Sequence, residues 1–138
     1  IGARLPNSLF AKLLSEDSED VLVVTTVDDE GWPHPGLLDV KSVEPDGERT
    51  VRVTLVASSR AAANIERNGK LTLALVDPEM VYYIKAKVVR AVMTKHDGTM
   101  RFEAIVEEVL EDSPGPGEAG SVILTGITFR RGVSQKAR

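Results

Sequence analysis

Short runs of valine, threonine and leucine recur along the chain, and each is stopped by a turn built on glycine, proline or aspartate. β-Branched residues suit a pleated, half-buried surface. Sequential runs with tight connections favour hairpins, so the rhythm points to an antiparallel sheet. The run 21–27 (VLVVTTV) is nearly all apolar and reads as a well-buried strand. A turn at 28–31 (DDEG) leads into a returning strand over 32–43, whose two prolines place its start at an edge or bulge. After a second turn at 44–47 (EPDG), residues 49–56 alternate Val51, Val53 and Leu55 against Arg52 and Thr54, a half-buried strand.

Residues 70–76 form the next strand, and 80–94 a long one with Tyr83, Lys85 and Lys87 on one face. A turn at 96–98 (HDG) follows. The segment 101–112 has no decisive period and is assigned to strand because strands surround it. Residues 113–120 form a loop and 121–131 a final strand. Two short helices interrupt the pattern. One spans 5–14, capped by Asn7 or Ser8, with Leu9 and Leu13, then Phe10 and Leu14, four residues apart. The other covers about 59–68 and ends at Gly69, which sits where a C′ residue belongs. The expected fold is a mostly β, antiparallel, six- to seven-stranded split β-barrel with two short helices, in a single domain over 1–138.

The totals exclude several chemistries. There is no cysteine, which removes disulfides, thiol catalysis and cysteine-held metals, and fits a cytoplasmic location. The net charge of −4 leaves no basic footprint for nucleic acid. No apolar run approaches the roughly 18 residues that span a bilayer, and the first residues do not read as a secretion signal. His34 and His96 have no carboxylate at ligand spacing, so no metal site is expected. The GPGEAG of 115–120 matches a dinucleotide fingerprint only by letter, since acidic LEDSP precedes it and the β-branched SVILTGITF, not a helix, follows. Tyr82 and Tyr83 read as strand residues, the acids of 107–112 as a solvated face, and no catalytic residue can be assigned.

The stretch 56–71 (VASSRAAANIERNGKL) carries the chemistry. The first amides of a helix lack internal partners and attract anions. Ser58 and Ser59 add hydroxyls there, and Arg60 adds a guanidinium that can grip phosphate in a bidentate manner. An ordinary serine N-cap beside a solvated arginine explains this stretch alone equally simply. If strands 32–43 and 49–56 pair, Lys41 and Thr54 could face the same anion. An exposed strand lysine is the plainer alternative for Lys41.

The order of elements, VLVVTTVDDEGWPHPGLLDV, then a strand, then SSRAAANIERNGKLTLALVDPE and YYIKAKVV, resembles the pyridoxamine 5′-phosphate oxidase-like family of FMN-binding split barrels over roughly residues 5–94. The resemblance implies a homodimer with FMN at its interface, and oxidoreductase activity on a small-molecule substrate. It assigns Ser59 and Arg60 to the phosphate, and the reading of the helix mouth adds Ser58. Lys41 matches the basic residue ending the strand after the turn, and Thr54 and Asn64 match further cofactor contacts. Relatives of the fold use a deazaflavin coenzyme or haem instead of FMN. Four departures stand out. Gly36 replaces an arginine of the oxidases, Ala61 a lysine and Val81 a glutamine, and the end of the chain lacks their Trp and His. These count against oxidation of vitamin B6 itself. They keep open a non-catalytic binder, or a cofactor-free dimerisation scaffold.

Overall fold

The computed structural model describes residues 2–78, 80–94, 97–113 and 123–128. Helix α1 (Asn7–Leu14) is followed by β1 (Asp20–Val27), β2 (Pro33–Asp39), a 3₁₀ turn (Val40–Ser42), β3 (Val43–Pro45) and β4 (Thr50–Val56). Helix α2 (Arg60–Asn68) then leads to β5 (Lys70–Asp77), β6 (Met80–Met93), β7 (Thr99–Asp112) and the two-residue β8 (Ile127–Thr128). The strands form one antiparallel sheet in the order β2-β1-β5-β6-β7-β4-β3, and β8 joins β1. The segment 101–112 is strand, and alternation of buried Phe102, Ala104 and Val106 with half-buried neighbours explains why.

The sheet curls because of its connectivity. Its outermost strands, β2 and β3, are separated in sequence only by three residues. A flat sheet would hold these edges far apart, so it bends into a barrel split between β2 and β4. Register shifts at Lys85/Ala86 and Val88/Arg90, where β6 meets β7, add local twist.

The inner face supplies the core, including Leu22, Val53, Leu73, Ile84 and Phe102, each 0% exposed. Helix α1 adds Leu9 and Leu13, and α2 adds Ala62 and Ile65. Fully burying one such aliphatic side chain contributes roughly 1.5–3 kcal/mol.

The structure corrects three sequence expectations. The strand expected over 32–43 breaks, because the Asp39 carboxylate accepts from the Lys41 amide and turns the chain into the 3₁₀ segment. β2 therefore pairs with β1, and only the short β3 pairs with β4. Neither Asn7 nor Ser8 caps α1. Pro6 precedes the helix, and Ser8 Oγ instead bonds the Tyr82 hydroxyl at 2.7 Å. Of the final strand, only Ile127–Thr128 is a strand among the described residues. The loop at 113–120 and His96 lie outside the described residues, apart from Ser113.

Lys12 ties α1 to the sheet, with Nζ 2.7 Å from Asp20 on β1 and 2.5 Å from Asp77 on β5. Burial works to lower its pKa. Hydrogen bonds to the two carboxylates, and their charges, outweigh that and raise it above the ordinary lysine value. The folded chain thus holds this proton more tightly than the unfolded chain. The clamp's stabilisation is complete below the ordinary lysine pKa, about 10.4, and is lost as pH rises through the raised folded value. Lys12→Met is expected to cost about 1–2 kcal/mol at neutral pH in urea unfolding, since the group is partly solvated. The gap to wild type should close in strongly alkaline buffer. A gap that ignores pH would show that packing, and not charge, carries the effect.

Candidate functional site

The seam between β2 and β4 is a cleft of about 320 Å³, lined by His34, Gly36, Leu37 and Leu38 on one side and Thr54, Leu55 and Val56 on the other. Ser59, Arg60 and Ala61, at the start of α2, also line it, with Ser42 and Thr99.

The local sequence explains how α2 reaches this place. Strand β4 ends at Val56, a short turn follows, and the Ser59 amide bonds back to the Val56 carbonyl at 3.0 Å. Ser59 then caps the helix, its Oγ accepting from the Ala62 amide at 3.1 Å. At the far end Gly69 takes φ 73°, a left-handed conformation that a glycine adopts without Cβ strain, and its amide bonds the Ile65 carbonyl at 2.7 Å. Arg67 donates to the Val27 carbonyl at 2.6 Å, which pins the helix to β1.

The amides of Arg60 and Ala61 find no acceptor among the described residues. Arg60 is exposed and its guanidinium makes no ion pair or hydrogen bond among those residues. A free guanidinium, free first-turn amides and the hydroxyls of Ser59 and Thr54 therefore border one cleft. That set suits an anion with several acceptor oxygens.

The structure brings three of the six sequence-derived site residues to the cleft: Thr54, Ser59 and Arg60. Ser58 is exposed in the turn beside it and does not line it. Asn64 is 5% exposed and faces the sheet, donating to Thr26 Oγ1 at 3.0 Å and accepting from Arg67 at 3.0 Å. It fixes α2 against β1. Lys41 sits on the 3₁₀ turn, exposed, beside a different hollow of about 390 Å³ that it shares with Leu13, Ser15 and Glu16. The pairing that would have set Lys41 against Thr54 is not formed.

Sequence reasoning missed His34, Ser42 and Thr99 as lining residues. Period-two reading of β2 alone would have found His34, since it shares a face with Gly36 and Leu38. Ser42 and Thr99 come from segments distant in sequence and reach the seam only through the curl. Among the described residues no group of three or more histidines and carboxylates could hold a metal ion. No described helix is long and apolar enough to cross a membrane.

No family model matches the chain. Uncharacterized protein YclD of Bacillus subtilis (strain 168) is 28% identical over 82 residues, 59% of this chain. The match covers 53% of YclD, so the chain spans about half the length of that relative. Among solved structures, a pyridoxamine 5′-phosphate oxidase-like protein of Lactobacillus delbrueckii matches with a TM-score of 0.62 at 17% identity, covering 78% of this chain and 93% of that one. An FMN-binding protein of Syntrophomonas wolfei matches at 0.61 and 11% identity, covering 77% and 82%. An F420 reductase matches at 0.60 and 14% identity, covering 77% and 98%. The chain shares its fold with these split-barrel proteins.

Proposed function

We propose that the cleft between β2 and β4 seats the phosphate of FMN, and that the protein is a flavin-dependent oxidoreductase acting on a small molecule. The observation that carries this reading is the unpaired Arg60 guanidinium beside the free amides of Arg60 and Ala61. FMN-binding and F420-reducing proteins of the same fold support it.

A bound flavin supplies the redox chemistry. The chain's task is then to hold and orient it. Ser59 and Thr54 offer hydroxyls to the phosphate, and Arg60 neutralises its charge. Leu37, Leu55 and Val56 give an apolar wall that keeps water from the ring. Among the described residues no paired acid and base lines the cleft, which is compatible with this role. Leu37 and Val56, 60% and 59% exposed on opposite walls, fit a homodimer in which a second copy covers the seam. The reading makes this a cytoplasmic protein, in keeping with a chain free of cysteine.

Absorption of the freshly purified protein, repeated after adding FMN and gel filtration, tests the reading. A retained flavin band is expected, with oxidation of a reduced nicotinamide when FMN is present. Retention of a deazaflavin but not FMN would move the cofactor assignment. A bound flavin that no donor reduces would make the protein a carrier, and release of every flavin would leave a scaffold.

Gly36 offers a gain-of-function check. A Cβ built there meets only Val24 Cγ1, at 3.8 Å, an ordinary contact. Gly36→Arg therefore adds a guanidinium to the cleft wall with little strain. It is expected to tighten FMN binding by up to about tenfold in flavin fluorescence titrations. Unchanged affinity would place the phosphate elsewhere.

A further inference from the structure

Two arginines next to the cleft have no ion-pair or hydrogen-bond partner among the described residues. Arg52 on β4 and Arg101 on β7 point outward from the sheet, each half-buried. The Nε of each is buried without a hydrogen-bond partner, and neither side chain forms an ion pair among the described residues. Orphaned guanidinium donors are costly to bury. The nearby carboxylates do not relieve them. Glu103, directly opposite Arg52, lies 3.9 Å from Arg90 instead, and Glu44, on the other flank of Arg52, reaches no cation within 4.0 Å.

Register places the pair. Arg101 stands opposite Thr54, which lines the cleft, and Arg52 is opposite Glu103, so the two arginines are diagonal neighbours on one face. Such neighbours lie about 7–8 Å apart, within joint reach of one anion.

We infer that Arg52 and Arg101 form a second anion site beside the cleft, which takes a carboxylate or phosphate group of the molecule reacting next to the flavin. The substrate is thus an organic acid or phosphate ester. This deepens the flavin reading and rests on it for the identity of the first ligand, but the pair can be tested alone.

The test follows the Nε–Hε signals of Arg52 and Arg101 in ¹⁵N-labelled protein during titration with inorganic phosphate, without FMN and then with saturating FMN. Both signals are expected to shift saturably in both titrations. Arg101→Gln should weaken phosphate binding, read at Arg52, by about tenfold or more and leave FMN affinity unchanged. Arg52→Gln, read at Arg101, gives the same test should the first variant not fold. Signals that do not respond to phosphate would overturn the inference. So would a response lost once FMN is bound, which would make the arginines part of the cofactor phosphate site. Shifts that follow protein concentration and not phosphate would assign them to a contact between copies, and also overturn it. A saturable response in a protein that retains no flavin would sink the flavin reading and leave the anion site standing.

Discussion

Phe102→Ala is expected to destabilise the protein by about 3–5 kcal/mol, the range for removing a fully buried aromatic side chain. Phe102 is 0% exposed, on β7 between Val53 of β4 and Ala91 of β6. It lines the same hollow as Ile65, the most buried side chain contributed by α2 after Ala62. The cavity left by truncation would open where the sheet meets the helix that carries Ser59 and Arg60. A domain of this kind has roughly 5–15 kcal/mol in all. The loss would therefore appear as a large drop in the urea midpoint, with the slope unchanged. A cost below about 1 kcal/mol would mean that the neighbouring side chains collapse into the space, and that Phe102 does not anchor this junction.

Arg60→Ala should leave that midpoint almost unmoved, within about 0.5 kcal/mol, because the exposed guanidinium makes no ion pair or hydrogen bond among the described residues. Its effect belongs to binding. Loss of a charged hydrogen bond to phosphate costs about 1.5–3 kcal/mol, or about 10–150-fold in the FMN dissociation constant. Arg60→Lys should recover part of the charge term but not the bidentate geometry. The difference between wild type and Arg60→Ala should shrink as salt is raised, since an exposed pair is screened. Equal FMN affinities for wild type and the alanine variant would remove Arg60 from the site.

Much of the fold was legible because its signals are local. Alternation marks β4, an αL glycine ends α2, and the prolines of β2 mark it as an edge strand, whereas β7 is legible only from the strands around it. The misreadings arose where a short polar side chain redirects the backbone. Asp39 reaches the amide two residues on, and apolar Val40 conceals the break it makes. That one hydrogen bond moved Lys41 away from Thr54. At α1, Ser8 looked like a cap, but tertiary contact with Tyr82 claims its hydroxyl. The proposed anion-binding end of α2 could be read from Ser59 and Arg60 because the cap and the candidate ligand groups are adjacent in sequence. Asn64 could not, since only the packed helix shows which way a residue one turn further on points. Arg52 and Arg101 are invisible as a pair until β4 and β7 are aligned.

The prolines at the sheet margins have one more consequence. β2 carries Pro33 and Pro35, and β3, the opposite margin, ends in Pro45. None of these residues has an amide hydrogen to offer an incoming strand. Exposed strand margins are where β-proteins template one another into aggregates. Here both margins are interrupted, and β3 is only three residues long. Open-ended polymerisation by strand addition is thus disfavoured at each end, so the molecule can display an apolar seam without offering a strand margin as a template.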